Sequence, residues 1–283
     1  MGLVSADDGW RMPDWLWERI EPLLPWPPLH PLGCHRPRVR NRDAMDAILL
    51  VLRTGMQWNA LNATGICSSS SAHRRFQEWV QAGVFHEIWR RGLVEYDMVV
   101  GIDWAWLAVD GGMGKAPLGG AKTGPNPTDR AKGGRNVRFS TEARGVPIGV
   151  AHDGANRHDS KLLEPTLDSV PIEQPEPSDE RPQALCLDRG YDYPWVHELA
   201  EERGFKPHMR TRGDEIRLKL QTPGWRARRW VVEACHSWLN RNRALLVRWS
   251  KKDDNHLALL QLACGLIAFK KAHSARRAQT LAG

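Results

Sequence analysis

The sequence predicts an α/β protein in which a mixed sheet flanked by helices follows an all-helical N-terminal region. Two observations predict the sheet: short apolar segments punctuated by glycine begin near Val99, and two of them end at an aspartate that precedes glycine. Before Val99, apolar side chains repeat at helical spacing, which predicts helices. We therefore expect a helical domain over 1–98, an α/β domain over 99–272 and a flexible basic tail over 273–283.

Four helices are predicted before the sheet. Pro22 predicts a kink or early stop in the first, and Gly55 closes the second. A basic helix that follows a helix and a turn is typical of helix-turn-helix DNA readers, although an ordinary three-helix bundle with a solvated basic face has the same pattern. The predicted helices are Met12–Leu24, Asn41–Thr54, Ser71–Val80 and Phe85–Asp97, and the candidate DNA contacts are Arg36, Arg38, Arg40, His73, Arg74 and Arg75.

Charge and cysteine content narrow the functional class. The 283 residues include 40 Lys and Arg and carry a net charge of +7, which favours a polyanionic partner such as nucleic acid. Five widely spaced cysteines without a Cys-x-x-Cys pair indicate neither a disulfide framework nor a zinc site. No apolar run approaches the length of a membrane span, and the N-terminus lacks the features of a signal peptide, so we expect a soluble cytoplasmic protein.

Two acids occupy equivalent positions in the predicted sheet. Asp188 ends the apolar run Ala184–Leu187, and Asp110 ends the run Trp106–Val109; glycine follows both. Either acid alone is better explained as a turn aspartate. Two acids at two strand ends can meet in space, which makes Asp110 and Asp188 candidates for one site.

The segment between these acids is predicted to be a mobile basic loop, Gly111–Arg138, followed by a hairpin. The loop either cradles a phosphate backbone or is a solvated connector. The hairpin strands are Asn136–Ser140 and Pro147–Ala151. After them, His158 and Asp159 precede a helix, where capping is the simpler explanation for Asp159. The candidate DNA contacts in this loop, expected near the reacting phosphates, are Lys115, Lys122, Lys132 and Arg135.

The longest helical pattern runs from Arg226 to Trp249. It presents an apolar stripe, and Glu233 falls on the opposite, polar face together with Arg229 and Asn240. A solvated polar face would have the same appearance. Beyond it, an apolar helix is predicted over Leu257–Phe269, with a frayed tail.

These acids and their flanking segments resemble the DDE transposases of the retroviral-integrase superfamily, most closely the IS5 family of bacterial insertion sequences. The resemblance covers nearly the whole chain and is carried by Leu52–Trp58, Arg75–Gly83, Asp188–Asp192 and Arg229–Arg243. The family signature around the last acid has tyrosine and lysine where this chain has Arg226 and Asn240. Arg241 or Arg243, within one turn of Asn240, could supply the missing charge.

The resemblance implies an RNase H-like catalytic fold behind a DNA-binding domain. It implies that Asp110, Asp188 and Glu233 hold two Mg²⁺ or Mn²⁺ ions, with His158 and Asp159 nearby. The implied reaction is cleavage at the terminal inverted repeats and strand transfer into target double-stranded DNA, by a homo-oligomer in the bacterial nucleoid. Arg229, Asn240 and Arg241 are implied DNA contacts. A nuclease that never joins DNA, or a DNA-binding regulator with vestigial catalysis, are the alternatives.

Overall fold

In the computed structural model, four helices precede the sheet, as predicted. The structure describes residues 10–26, 37–209 and 230–282, together with Gly213, Arg217, Leu220 and Gln221. The first helix ends early at Pro22 as expected, because α1 gives way to a 3₁₀ turn over Glu21–Leu23. The helices are α1 (Asp14–Ile20), α2 (Asn41–Thr54), α3 (Ser69–Gln81) and α4 (Val84–Val100).

Local sequence signals set most of these helix ends. Gly55 ends α2 with a φ of 68°, in the left-handed region that favours glycine. The Ser68 hydroxyl accepts a hydrogen bond from the Ser71 backbone N–H and caps α3. Asn41 is the first residue of α2, and its side chain accepts a hydrogen bond from Arg75.

The described strands form one mixed sheet in the order β2-β3-β1-β5-β6, and β4 also pairs with β3. The β1–β5 and β5–β6 pairs are parallel, whereas β3 is antiparallel to β1, β2 and β4. The hairpin of β3 and β4 was predicted correctly. The strands are β1 (Trp106–Lys115), β2 (Gly124–Pro125), β3 (Gly133–Thr141), β4 (Pro147–Gly154), β5 (Gln183–Leu187) and β6 (Phe205–Met209).

The prediction of one long loop over Gly111–Arg138 was wrong at both ends. β1 continues to Lys115 and β3 begins at Gly133, so these glycine-rich segments pair with each other. Glycine is uncommon inside strands except where another group must approach the backbone closely, and such an approach occurs here. A Cβ at Gly114 would lie 2.9 Å from the Arg135 guanidinium carbon, so the missing side chain makes room for that arginine.

Among the described residues, four longer α-helices lie between or after the later strands. These are α5 (Leu163–Asp168), α6 (Pro194–Glu202), α7 (Trp230–Asn240) and α8 (Asp253–Ala282). The prediction that one helix continues to Trp249 was wrong. α7 ends at Asn240 because the chain turns back toward the sheet, where the Arg248 N–H donates to the Lys115 carbonyl at 2.8 Å. α8 does not fray after Phe269 but stays helical to Ala282.

The helical region and the sheet region share one hydrophobic core. One cluster of packed, buried side chains includes residues of both regions, from Met12 before α1 to Ala272 in α8. α4 and α8 pack closely because both have glycine at the crossing: a Cβ at Gly92 would lie 3.0 Å from the Gly265 carbonyl oxygen. No helix among the described residues is long and apolar enough to cross a bilayer.

Candidate active site

Asp110 and Asp188 lie on adjacent parallel strands. The β1–β5 register pairs Ala108 with Cys186, and each aspartate stands two residues further along its chain. Because side chains alternate along strands, both aspartates belong to the same face as that pair. Asp110 lies inside β1 rather than at its end, whereas Asp188 is the first residue after β5 and accepts a hydrogen bond from the Gly190 N–H at 2.8 Å.

Arg138 on β3 connects the first aspartate to Asp159. Its guanidinium lies 3.5 Å from Asp110 Oδ1 and forms an ion pair with Asp159, and the arginine side chain is almost fully buried. Gly111 makes this possible, because a Cβ there would lie 2.6 Å from Arg138 Cδ. Asp159 also accepts a hydrogen bond from Asn136 Nδ2 at 2.8 Å. Arg138 and Asn136 were not predicted as site residues.

The sequence left open whether His158 and Asp159 cap the following helix or belong to the site, and the structure gives each residue a different contact. Capping belongs to His158, whose Nδ1 accepts a hydrogen bond from the Ser160 N–H at the start of the 3₁₀ turn Asp159–Leu162. The Asp159 carboxylate is thereby left to Arg138.

α7 places Glu233 and His236 beside the same strands. Val231 and Val232 pack with Trp106, Ala108 and Cys186, which are side chains of the β1–β5 face that carries the aspartates. Glu233 is exposed, as expected for the polar face of the helix. One turn later, His236 is a site residue that the sequence analysis missed.

His236 is held between the acids and the sheet. Its ring meets Phe139 edge-on, with centroids 5.6 Å apart, and Phe139 is paired with Asp110 across β1 and β3. Burial lowers the pKa of His236, while the charges of Asp110 and Glu233 oppose that shift. His236 Nε2 is buried and has no hydrogen-bond partner among the described residues.

Tyr191 completes the described site on the side of Asp188. It is fully buried in the 3₁₀ turn Arg189–Tyr191. Burial raises the pKa of its phenol, and Arg138, Asp159, Asp188 and Asp110 all act on it electrostatically. Tyr191 therefore lies within electrostatic range of three carboxylates and of Arg138.

Comparison with known proteins identifies the family. A family described as "Transposase DDE domain" matches residues 106–267, and one described as "Putative transposase of IS4/5 family" matches residues 12–89. The chain belongs to the DDE transposase family. The resemblance to IS5-type transposases and the expected enzyme class are thereby confirmed, and this transposase is an enzyme of DDE-type DNA cleavage and strand transfer.

Individual relatives agree with this assignment. The transposase is 37% identical over 153 residues to a "Putative transposase for insertion sequence element IS402" of Burkholderia cepacia, covering 53% of this chain and 70% of the relative. A 16.2 kDa protein of the same insertion element is 38% identical over 116 residues, covering 40% and 79%. Among solved structures, the Mos1 strand transfer complex aligns over 86% of this chain and 80% of its own at 12% identity, but its TM-score of 0.27 supports no further comparison.

The donor atoms of the site suit a divalent metal ion, which DDE transposases generally use. Carboxylate oxygens are the ligands that Mg²⁺ and Mn²⁺ prefer, and Asp110 and Asp188 offer them from neighbouring strands. In the described part of the chain, however, no three His, Cys, Asp or Glu side chains lie close enough together to hold a metal ion. Asp110, Asp188 and Glu233 therefore do not form one ligand group in this conformation.

Two of the predicted DNA contacts lie inside the transposase instead. Arg75 is 6% exposed and donates to Asn41 and to the Val39 carbonyl, so it ties α3 to the chain before α2. Arg135 is 8% exposed and donates to the Leu245 carbonyl; burial and the charge of Arg248 lower its pKa to about 10. Both arginines are therefore mostly buried and make contacts within the protein.

The remaining predicted contacts are at the surface or outside the described residues. Arg38 and Arg40 form ion pairs with Glu78 and Asp43, and Lys122 pairs with Asp253 at 2.9 Å. Burial and the charge of Lys252 lower the pKa of His73. The other predicted DNA contacts that lie at the surface are His73, Arg74, Lys115, Lys132, Asn240 and Arg241. Arg36, Arg226 and Arg229 lie outside the described residues.

Proposed function

We propose that this transposase cuts the ends of a bacterial insertion sequence and joins them to target DNA with Asp110, Asp188 and Glu233 as its catalytic acids. The observation that carries the proposal is the adjacency of two of these acids. In support of it, Asp110 and Asp188 each follow the paired residues Ala108 and Cys186 by two positions on neighbouring strands, and α7, which carries Glu233, packs on the same face of the sheet.

The proposed chemistry consists of two phosphoryl transfers. Water attacks a phosphorus at the element end, the bond to the 3′ oxygen breaks, and a 3′-hydroxyl is released. That hydroxyl then attacks a phosphodiester of the target, so one P–O bond forms for each one broken. Two bound divalent ions would neutralise charge on the attacking and leaving oxygens.

The chain's own residues position and separate these charges. Asp110 and Asp188 would hold the ions from neighbouring strands, with Glu233 contributing from the helix. Arg138 compensates the negative charge of Asp110 and Asp159. The rings of His236 and Phe139, which meet edge-on, border the site on the side of α7.

DNA recognition is proposed for the surface around α3. A cleft of about 720 Å³ lies between α3 and the segment before α2, and its lining includes Arg38, Arg74 and three serines at the start of α3. Arginine and hydroxyl groups at a helix start suit phosphate contacts, which fix the position of a duplex without reading its sequence. His73, Arg74 and Arg40 are the proposed contacts of a helix-turn-helix reader. A homo-oligomer that pairs two DNA ends is also proposed.

The test is a cleavage and joining assay on labelled DNA that carries the sequences flanking this gene, with Mg²⁺ or Mn²⁺. Wild type is expected to cut and join, whereas Asp188→Ala is expected to bind the DNA and do neither. Asp168→Asn is the matched control, because Asp168 is a carboxylate on α5 paired with Arg203 at 2.6 Å. Cutting without joining would favour the nuclease, and binding without cutting by wild type would favour the regulator.

A further inference from the structure

A small cleft lies beside β1, directly after Asp110 along the strand. It has a volume of about 340 Å³ and is formed by the glycine-rich half of β1, the neighbouring residues of β3, one side of α7 and the turn after α7. Gly112, which lines it, stands two residues after Asp110, so both belong to the same face of the sheet about 7 Å apart along the strand. The cleft therefore begins next to the first of the proposed catalytic acids.

Gly112 leaves the middle of this cleft open. Arginines of β3 occupy the space beside Gly111 and Gly114, but a Cβ at Gly112 would meet no described atom within 4 Å. Its φ is not positive, so the backbone conformation does not require glycine either. Glycine inside a strand weakens it and often marks a place where a ligand approaches the backbone closely. No described residue uses this space, which leaves it open to a bound molecule.

The edge of β1 along the cleft is also unpaired among the described strands. β5 pairs with β1 only as far as Ala108, and Val247 next meets β1 opposite Lys115. Backbone N–H and C=O groups of an unpaired edge can hydrogen-bond to another molecule. The cleft therefore offers backbone donors and acceptors as well as space.

Two buried nitrogens in the lining lack hydrogen-bond partners within the described part of the chain. These are Nε of Arg135, a residue that is 8% exposed, and Nε2 of His236. Buried polar atoms without partners are uncommon, and a bound polar molecule is one explanation for them. Asn240 adds a side-chain amide to the same lining. A molecule that fits the cleft should therefore carry hydrogen-bonding groups on its edge.

The rest of the lining is apolar. Phe139, Leu239 and Leu245 are buried there, whereas Leu246 lines the cleft and is 45% exposed. None of the described lining residues is acidic. A molecule with apolar faces and a polar edge matches this combination, and the bases of DNA have that character. A phosphate group would leave the apolar walls without a partner.

We propose that this cleft receives one nucleobase swung out of the DNA duplex, from a nucleotide within about two steps of the reacting phosphate. This inference rests on the proposed function, because Asp110 defines where the reacting phosphate lies. The seated base fixes the register of the strand at the acids. Because Asn240 offers a donor and an acceptor to the base edge, the contact also depends on base identity, which phosphate contacts do not.

The first test fills the cleft and then removes the base. Gly112→Leu should fold, because its Cβ meets no described atom, and it should cut the end duplex on the order of 10-fold more slowly than wild type. Single abasic nucleotides are then placed at successive positions near the cut. At one position within about two nucleotides of the cut, wild type and Gly112→Leu should cut at equal rates, because no base needs the cleft. At the other positions the variant should stay slow.

Ala105→Leu is the matched control, because it places the same side chain at an exposed residue just before the other end of β1. It should cut every duplex as wild type does. Wild-type cutting of the normal duplex by Gly112→Leu would overturn the inference. So would a defect that persists at every abasic position, because that defect would not depend on a base.

A second measurement uses only the wild-type protein and DNA binding. Single 2-aminopurine bases, whose fluorescence increases when they leave the base stack, are placed at successive positions of the end duplex. Binding without metal should raise the fluorescence several-fold at the position that rescues Gly112→Leu, and equal responses at all positions would overturn the inference. Failure of wild type to cut any DNA, with one base still extruded on binding, would refute the proposed function and leave the cleft assignment standing.

Discussion

Gly111 and Gly112 are neighbours in β1 but differ in the space around them, which gives a matched pair of substitutions beside Asp110. A Cβ at Gly111 would lie 2.0 Å from the Val137 carbonyl oxygen and 2.6 Å from Arg138 Cδ. A Cβ at Gly112 would meet nothing within 4 Å. Neither glycine has a positive φ, so backbone conformation does not separate them.

Gly111→Ala should destabilise the protein, because β1 and β3 must separate by about 1 Å to restore a normal contact. Overpacking of this kind costs about 1–3 kcal/mol, and a backbone atom cannot rotate away, so we expect about 3 kcal/mol. Gly112→Ala should stabilise the protein by about 0.5–1 kcal/mol, because alanine loses less conformational entropy than glycine in a strand.

The free energy of unfolding in urea measures both changes, and DNA cleavage measures their effect on the site. Gly111→Ala should also reduce cleavage, because Arg138 can no longer cross β1 to reach Asp110. Equal effects of the two substitutions would refute the explanation of the glycine-rich strand as a space for Arg138.

Three further predictions concern buried polar groups. Arg248→Met should lower the free energy of unfolding by about 3 kcal/mol, because the buried guanidinium donates to the carbonyls of Ala121, Lys122 and Ser250. Burial lowers the pKa of His152 from 6.5 to about 4, so unfolding should become easier as the pH falls from 6.5 to 4, on the order of 3 kcal/mol, because the unfolded chain binds the proton first. Glu142→Leu should cost about 2–3 kcal/mol, because the N–H groups of Arg144 and Val146 lose their acceptor.

Exposed residues of the same types provide the controls. Arg157→Met, His197→Gln and Glu164→Leu should each change the free energy of unfolding by less than about 1 kcal/mol, because their ion pairs are at the surface. For His152, the comparison is the pH dependence of unfolding with and without His152→Gln. A His152→Gln protein that keeps the full acid destabilisation would contradict the assignment to this histidine.

The sequence was sufficient to predict the elements that depend on local signals. Alternating or continuous apolar runs, Pro22 and Gly55 identified most helices and strands. The same reasoning gave the wrong element where a residue type typical of loops is required by a contact with a residue distant in sequence. The glycines after Asp110 indicate a loop by composition, but Gly111 and Gly114 instead leave space for Arg138 and Arg135 of the paired strand.

In the candidate site, too, the residues with local sequence signals were predicted and those that depend on tertiary contacts were not. Asp110, Asp188 and Glu233 were predicted as site residues because they stand at recognisable positions of strand and helix patterns. Arg138, His236 and Tyr191 were missed, because only the register of β1 with β3 and the packing of α7 bring them to the aspartates. The burial of Arg75 and Arg135 could not be predicted either. A basic residue in a basic segment is expected at the surface unless the group that accepts its hydrogen bonds is known.

The most direct test of the central claim is the rate of strand joining by DNA that already carries a free 3′-hydroxyl. This substrate bypasses the first cut and isolates the chemistry assigned to the three acids. Asp110→Asn, Asp188→Asn and Glu233→Gln should each reduce the rate by at least about 10²-fold while the DNA affinity stays near that of wild type. Glu198→Gln, which removes an exposed carboxylate of α6, should leave the rate unchanged. Wild-type joining by any of the three variants would contradict the claim that these acids form one active site.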